Sequence, residues 1–211
     1  MTKSKKYHGG IILTGPESNL QASVGTITLI HGDIGSGKTT WLERLAGLQP
    51  MPEGMSIAFS GKKSGETPVI RMLFDRRPQL WLGQTVAEEM CFGFSTVPET
   101  NKLQHALATW GIAELDLHAD IQSLNRLQGL RLGMASMDIA RPSLVLLDSP
   151  TDCLPADCAS QLIKDTRAWA ERSNCVIVVT SNRWQDWQPM ASQIWQTTAP
   201  LHMPVLDSRG V

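Results

Sequence analysis

The sequence predicts an α/β fold in which a mixed, mainly parallel β-sheet is flanked by helices. Short apolar runs bounded by turn residues recur along the 211-residue chain, as expected for strands. The later runs are apolar at nearly every position, which is typical of strands that are covered on both faces. Helical patterns lie between the runs. The longest, over about 85–140, predicts a small helical subdomain inserted into a single α/β domain whose core comprises about 1–84 and 141–211.

The predicted elements follow one another in a regular order. Five strands are predicted, at residues 10–13, 26–30, 70–74, 144–147 and 176–179. A short amphipathic helix follows Gly37, because apolar residues recur at three- and four-residue steps as far as Leu48 and Pro50 ends the pattern. A second helix begins at Thr85, since Thr85 and Glu88 have the spacing of a capping box, in which each side chain satisfies a free amide.

Composition and charge exclude several classes of protein. The 19 Lys and Arg residues nearly balance the 20 Asp and Glu residues, so the formal net charge of -1 provides no general attraction to nucleic acid. The apolar stretches are far shorter than the ~20 residues that cross a bilayer, and the N-terminal sequence lacks the apolar core of a signal peptide. We therefore expect a cytoplasmic chain that binds no nucleic acid. Its four cysteines include no C-x-x-C pair and are expected to be reduced.

A glycine-rich loop after the second predicted strand has the pattern G-x-x-x-x-G-K-[ST] of a P-loop. The loop comprises Gly32, Asp33, Ile34, Gly35, Ser36, Gly37, Lys38, Thr39 and Thr40. In this pattern the backbone amides converge on a phosphate, and the helix N-terminus adds partial positive charge. Lys38 is predicted to bridge the β- and γ-phosphates, while the Thr39 hydroxyl and Asp148, at the end of an apolar strand, are predicted Mg²⁺ ligands. These features predict a P-loop NTPase core; a glycine-rich turn before a helix is the alternative.

Together with these motifs, the chain resembles the ATP-binding subunits of ABC transporters over nearly its full length. Residues 41–48 are similar to the family's tLl..laGl sequence, 124–128 lie at its LSGGQ signature, 148–154 resemble DEPT..LD, and 178–181 resemble its switch strand, which ends in Thr-His. Within the family, residues 73–86 and 91–93 are similar to the energy-coupling-factor type, whose members import vitamins and metal ions.

The resemblance implies cofactors, partners and a location. ATP and Mg²⁺ are the expected cofactors, and Tyr7 lies close to where the family places an aromatic residue that stacks on adenine. The expected partners are a second ATP-binding subunit, in a homodimer or a heterodimer, and a transmembrane permease that is a separate chain. Trp81, flanked by Leu80 and Leu82, lies where the family docks its membrane subunit. In such a complex the chain is cytoplasmic and lies on the inner face of the cell membrane.

Several residues depart from the family pattern at the groups that hydrolyse ATP. Ser149 replaces the glutamate that polarises the attacking water, Ser181 replaces the switch histidine, and Asp75 replaces the Q-loop glutamine, with Gln79 as a displaced alternative. In the signature, Asn125, Arg126 and Leu127 replace Ser-Gly-Gly, whose small size lets the backbone approach the partner's γ-phosphate. A serine hydroxyl is not a general base near neutral pH without an activating partner.

These residues predict a nucleotide-binding subunit that has impaired hydrolysis and couples nucleotide-dependent closure to a membrane partner. A working ATPase is the first alternative, with Asp75, Asp152 or a residue of the partner subunit as the substitute base. A soluble regulator or assembly protein that uses the same fold without a transporter is the second. A P-loop kinase explains less, because the spacing of the signature region has no role in that class.

Overall fold

The computed structural model describes residues 9–15, 19–61, 67–74, 80–198 and 205–209, and these form nine strands in two sheets. The strands are β1 Gly10–Thr14, β2 Asn19–Ser23, β3 Thr26–His31, β4 Ser56–Ser60, β5 Ile70–Leu73, β6 Leu144–Asp148, β7 Val176–Thr180, β8 Ala191–Thr198 and β9 Val205–Arg209. The larger sheet has the order β5-β6-β7-β3-β8-β9 and is parallel except for β9. The smaller sheet, β2-β1-β4, is antiparallel. The predicted α/β fold with a mixed, mainly parallel sheet is confirmed.

Six α-helices accompany the sheets in the described part of the chain. They are α1 Lys38–Leu45, α2 Val86–Cys91, α3 Thr100–Thr109, α4 Arg126–Ile139, α5 Ala156–Ser173 and α6 Trp184–Trp187; short 3-10 turns cover Ile121–Ser123 and Gln188–Met190. Helices α2, α3 and α4 all lie between β5 and β6 in the sequence. Among the residues described, no helix combines the length and the apolar character that crossing a membrane requires.

Helix α1 is shorter than the sequence pattern predicts, and Gly47 is the reason. The helix ends at Leu45 rather than continuing to Leu48. Gly47 has a φ of +76°, and the amide of Leu48 donates to the carbonyl oxygen of Glu43 at 2.8 Å. A left-handed glycine with such backward bonds is a common helix ending. Leu48 is consequently 61% exposed instead of packing on the core.

The capping box predicted at Thr85 is only half formed. The Thr85 side chain caps α2 by accepting a hydrogen bond from the amide of Glu88 at 3.2 Å. The Glu88 carboxylate, however, accepts from the amide of Gln84 at 2.8 Å. The cap still satisfies one free amide of the helix, while Glu88 stabilises the turn that precedes it.

The hydrophobic core lies on both faces of the larger sheet, which explains the continuous apolar strands. In β6, Val145 and Leu147 pack with the helices of the 86–139 region and with α5, while Leu144 and Leu146 pack against α1 and the smaller sheet. Strand β7 alternates in the same way, and all five of its residues are buried. Because successive side chains point to opposite faces, burial of both faces favours apolar residues at nearly every position, and only the last residue of each strand, Asp148 or Thr180, is polar.

The carboxyl ends of three neighbouring strands bring the predicted site residues together. Strand β7 pairs with β3 on one side and β6 on the other, and Thr180 is aligned with Ile30 and with Asp148. The segments that follow these strands are the P-loop, the loop from Ser149 and the loop from Ser181. Parallel neighbours end at the same edge of a sheet, and ligands of open α/β sheets bind at that edge.

Candidate nucleotide-binding site

The P-loop connects β3 to α1, and its conformation requires glycine at several positions. Gly35 and Gly37 have φ values of +82° and +88°, in the left-handed region that residues with a β-carbon rarely adopt. Gly32 is required for a different reason, since a β-carbon there would lie 2.6 Å from the carbonyl oxygen of Thr197 in β8. Thr197 Oγ1 also donates to the carbonyl oxygen of Ser36 at 2.7 Å. The sheet therefore supports the loop directly.

The side chain of Lys38 folds back over the P-loop. Its Nζ donates to the carbonyl oxygens of Gly32, at 2.8 Å, and Asp33, at 3.0 Å. Burial lowers the pKa of Lys38, and the negative charges of Asp152, Asp148 and Asp33, in that order, oppose this shift. A P-loop lysine binds the terminal phosphates of a nucleotide. Here the phosphate oxygens would replace the two carbonyl oxygens as acceptors.

Thr39 and Asp148, the two predicted Mg²⁺ ligands, lie next to each other. Thr39 Oγ1 donates a hydrogen bond of 2.9 Å to Asp148 Oδ2. Mg²⁺ binds oxygen ligands at about 2.0–2.1 Å in octahedral geometry, which places neighbouring ligands about 2.9 Å apart. The separation of these two oxygens and their chemistry therefore fit Mg²⁺. Thr180 Oγ1 donates to the other carboxylate oxygen, Oδ1, at 2.7 Å and so fixes its orientation.

Ser149 follows Asp148 in a strained backbone conformation. Its φ is +47°, and such a conformation costs about 1–3 kcal/mol in a residue other than glycine. The amide of Ser149 donates to the carbonyl oxygen of Thr180 at 3.0 Å and to its hydroxyl at 3.2 Å. These bonds to the neighbouring strand hold the strained conformation. Ser149 is buried at the edge of the site and provides a hydroxyl where the resemblance places a carboxylate.

Ser181, the residue directly after β7, is hydrogen-bonded to Asp152. Its Oγ donates to Asp152 Oδ1 at 2.5 Å and accepts from the amide of Arg183 at 3.0 Å. Asn182 donates to Asp152 Oδ2 twice, from its amide at 3.0 Å and from Nδ2 at 2.8 Å. Both oxygens of Asp152 thus accept hydrogen bonds from the chain itself. A water molecule would have to compete with these donors, which disfavours Asp152 as a substitute base.

The residues at the signature position form a complete capping box at the start of α4. The Asn125 side chain accepts from the amide of Gln128 at 3.0 Å, and the Gln128 side chain accepts from the amide of Asn125 at 3.1 Å. Leu127 is half-buried and packs against the core. The amides of Asn125 and Gln128 are therefore satisfied within the chain, which disfavours the use of these two amides for a partner's phosphate.

An apolar surface lies beside α2, and we call it the 80–82 surface. Leu80 and Leu82 are 66% and 58% exposed, while Trp81 between them is half-buried against the core. Glu89 fixes this segment, because its Oε2 accepts hydrogen bonds from the amides of Leu82, at 2.8 Å, and Gly83, at 2.9 Å. A cavity of about 340 Å³ adjoins these side chains. The combination is suited to binding an apolar group of another molecule.

Two residues have roles in the site that the sequence alone did not assign. Thr180 orients Asp148 and holds the backbone of Ser149, and Thr197 supports the P-loop. For Thr180, the sequence does contain a signal, because a polar residue at the end of an apolar strand is a candidate site residue. Thr197 lies in a strand of mixed polarity and gave no such signal. Tyr7, Asp75 and Gln79, which the resemblance also singled out, lie outside the described residues.

Comparisons with known proteins agree with this geometry. A family model described as ABC transporter matches residues 17–152. The aliphatic sulfonates import ATP-binding protein SsuB 2 of Agrobacterium fabrum is 34% identical over 156 residues, which are 72% of this chain and 57% of that protein. The energy-coupling factor transporter ATP-binding protein EcfA1 of Leuconostoc mesenteroides is 27% identical over 149 residues, which are 66% of this chain and 54% of that protein.

The chain spans only part of the length of its curated relatives, and its fold is also similar to that of solved structures. It spans 35% and 34% of the lengths of two relatives from Methanosarcina mazei and Methanosarcina acetivorans, each 25% identical to it. Among solved structures, cbiO1 from Clostridium perfringens, part of the ABC transporter complex cbiONQ, has a TM-score of 0.74 and 19% identity. That similarity covers 90% of this chain and 84% of cbiO1, and it shows a shared fold.

Proposed function

Because the chain belongs to the ABC transporter family, we propose that it is an ATP-binding subunit of a transport complex and that its own ATP hydrolysis is impaired. It would bind Mg-ATP through the P-loop and pass the resulting closure to a separate transmembrane permease. The observation that carries the proposal is a formed P-loop, with Lys38, Thr39 and Asp148 in place, beside serines at positions 149 and 181. When bound, Mg²⁺ would neutralise charge on the β- and γ-phosphates.

Impaired hydrolysis follows from what the two serines can do. Ser149 has no carboxylate to accept a proton from water, and general-base catalysis contributes about 10²–10⁴-fold to a rate. The Ser181 hydroxyl is donated to Asp152, at 2.5 Å, so it is unavailable to a γ-phosphate in this arrangement. Asp148 remains a metal ligand held by Thr39 and Thr180. The site is therefore suited to binding nucleotide more than to cleaving it.

The signature position adds a second defect in any dimer. In a head-to-tail homodimer, each composite site would combine the P-loop of this chain with the capping box of Asn125 and Gln128. In a heterodimer with a complete relative, one site would lack the glutamate and the other would lack the normal signature. Both arrangements would reduce hydrolysis. Each site of the homodimer would have both defects, whereas each site of the heterodimer would have one.

We expect steady-state ATP turnover at least about 100-fold below that of a relative which retains the glutamate and the histidine. The two proteins are compared at equal nanomolar concentration, with nucleotide binding measured separately on the same samples. Ser149→Ala serves as the matched variant, and its turnover should equal that of the unaltered chain because the hydroxyl is not the base. Turnover close to that of the relative would contradict impaired hydrolysis, and a loss in Ser149→Ala would identify Ser149 as a participant.

The membrane partner is proposed from the 80–82 surface and from the named relatives. EcfA1 is an energy-coupling factor transporter protein and cbiO1 is part of a transporter complex. Leu80 and Leu82 expose apolar side chains in a segment fixed by Glu89, and a permease would cover them. On this proposal the chain lies at the inner face of the cell membrane.

Replacing Leu80 and Leu82 by aspartate is expected to reduce recovery of the permease by at least about tenfold, since charges would enter an apolar contact. The measurement is purification of the tagged chain from detergent-solubilised membranes of its native cell, with identification of multi-spanning proteins that co-elute. Leu48→Asp, which alters an exposed leucine after α1, is the matched control and should retain the partner. Absence of any multi-spanning protein with the unaltered chain would favour the soluble regulator instead.

A further inference from the structure

The loops that follow β6 and β7 are joined through the carboxylate of Asp152, at the same edge of the sheet as the P-loop. Asp152 accepts hydrogen bonds from Ser181 Oγ and from the amide and Nδ2 of Asn182. Arg183 strengthens the same junction by donating to the carbonyl oxygen of Leu154 at 2.9 Å. The carboxylate, which belongs to the loop after β6, is therefore held in one position by residues of the loop after β7. Among the carboxylates that act on Lys38, Asp152 has the largest effect on the lysine's pKa.

The position of this carboxylate matters because Lys38 is the group that reaches the terminal phosphates. A nucleoside triphosphate brings additional negative charge to the end of the P-loop that Lys38 and Asp148 border. Ser181 directly follows Thr180, which donates to Asp148, the acceptor of Thr39 in α1. The Ser181 hydroxyl itself donates to Asp152 at 2.5 Å. Binding of a γ-phosphate is favoured by hydrogen-bond donors. In the described loops the Ser181 hydroxyl is instead donated to the Asp152 carboxylate, which is itself negatively charged and can only accept hydrogen bonds. A diphosphate lacks the γ-phosphate and avoids most of the repulsion.

We propose that Asp152 is a specificity-determining residue that disfavours nucleoside triphosphate relative to diphosphate at this P-loop. The proposal rests on the proposed function, because it assumes that nucleotide binds the loop. Like charges near a protein surface repel each other, and Mg²⁺ and salt screen this repulsion only in part. Neutralising Asp152 should therefore strengthen triphosphate binding while changing diphosphate binding little. A role for Asp152 as a metal ligand predicts the opposite change, and a role as a base predicts a change in turnover without this change in affinity.

The test is equilibrium titration calorimetry of the whole chain with Mg-ADP and with the hydrolysis-resistant ATP analogue Mg-AMPPNP. The unaltered chain should bind Mg-ADP at least as tightly as the analogue. Asp152→Asn should bind the analogue about fivefold to tenfold more tightly, with less than a twofold change for Mg-ADP. Asp152→Ser, which is also neutral, should shift the ratio in the same direction. Asp157→Asn removes the same charge from an exposed position at the start of α5 and should change neither affinity.

The outcomes separate this proposal from the proposed function. Equal changes for both nucleotides in Asp152→Asn and Asp152→Ser, or weaker binding of the analogue, would overturn the role of Asp152 while leaving nucleotide binding intact. Failure of the unaltered, folded chain to bind either nucleotide would overturn the proposed function, and this inference would fall with it. A shift in the ratio that appears equally in Asp157→Asn would show a general charge effect and would also overturn the proposal.

Discussion

Replacing Lys38 by alanine is expected to weaken the binding of Mg-ATP by about tenfold to a hundredfold. The Nζ of Lys38 lies over the P-loop, bound to the carbonyl oxygens of Gly32 and Asp33, and phosphate oxygens would take their place. A hydrogen bond to a charged group contributes about 1.5–3 kcal/mol, which corresponds to roughly this change in affinity. Equilibrium titration with a fluorescent ATP analogue at fixed ionic strength measures the effect.

Lys164→Ala is the matched control for the Lys38 experiment. Lys164 is exposed on α5, so its removal changes the net charge by the same amount away from the P-loop. Affinity in Lys164→Ala should stay within twofold of the unaltered chain. If Lys38→Ala is folded and binds Mg-ATP as tightly as the control, nucleotide binds elsewhere and the assignment of the P-loop is wrong.

The sequence was most informative where the local pattern alone decides the structure. Strands β6 and β7 are predicted because both of their faces are buried and every position before the last is therefore apolar. Strands β2 and β8 contain polar residues at several positions, and β8 pairs with β3, a segment far away in the chain. Helix α1 was predicted too long because an exposed leucine, Leu48, continued the apolar pattern beyond Gly47.

The same distinction applies to the site. The P-loop is continuous in sequence, so the spacing of its glycines alone predicts a backbone that curves around a phosphate. The bonds of Asp148 with Thr180 and of Asp152 with Ser181 join residues about 30 positions apart. They exist because β6 and β7 are neighbours in register, with Asp148 aligned to Thr180. Departures from a family pattern identify Ser181 as unusual, but only the register shows which acceptor its hydroxyl reaches.

Replacing Asp138 by alanine is expected to cause a large loss of stability, because this carboxylate joins α4 to the end of α3 and to α5. Asp138 accepts hydrogen bonds from Trp110 Nε1 at 3.2 Å and from Trp169 Nε1 at 2.6 Å, and it also pairs with Arg172. Both indoles are almost fully buried. Each buried donor left without an acceptor costs about 1–3 kcal/mol, so we expect the free energy of unfolding to fall by about 2–4 kcal/mol.

Urea denaturation followed by tryptophan fluorescence measures this change, and two further variants separate its causes. Asp138→Asn keeps one side-chain acceptor and the shape of the residue, so its loss should be smaller than that of Asp138→Ala. Asp157→Ala, at an exposed position in the first turn of α5, should change the free energy of unfolding by less than about 1 kcal/mol. Equal losses in Asp138→Ala and Asp157→Ala would contradict the role of Asp138. Because Trp110 follows the end of α3 and Trp169 lies in α5, stability that rises from Asp138→Ala to Asp138→Asn to the unaltered chain would show that this carboxylate holds α3 and α4 against α5.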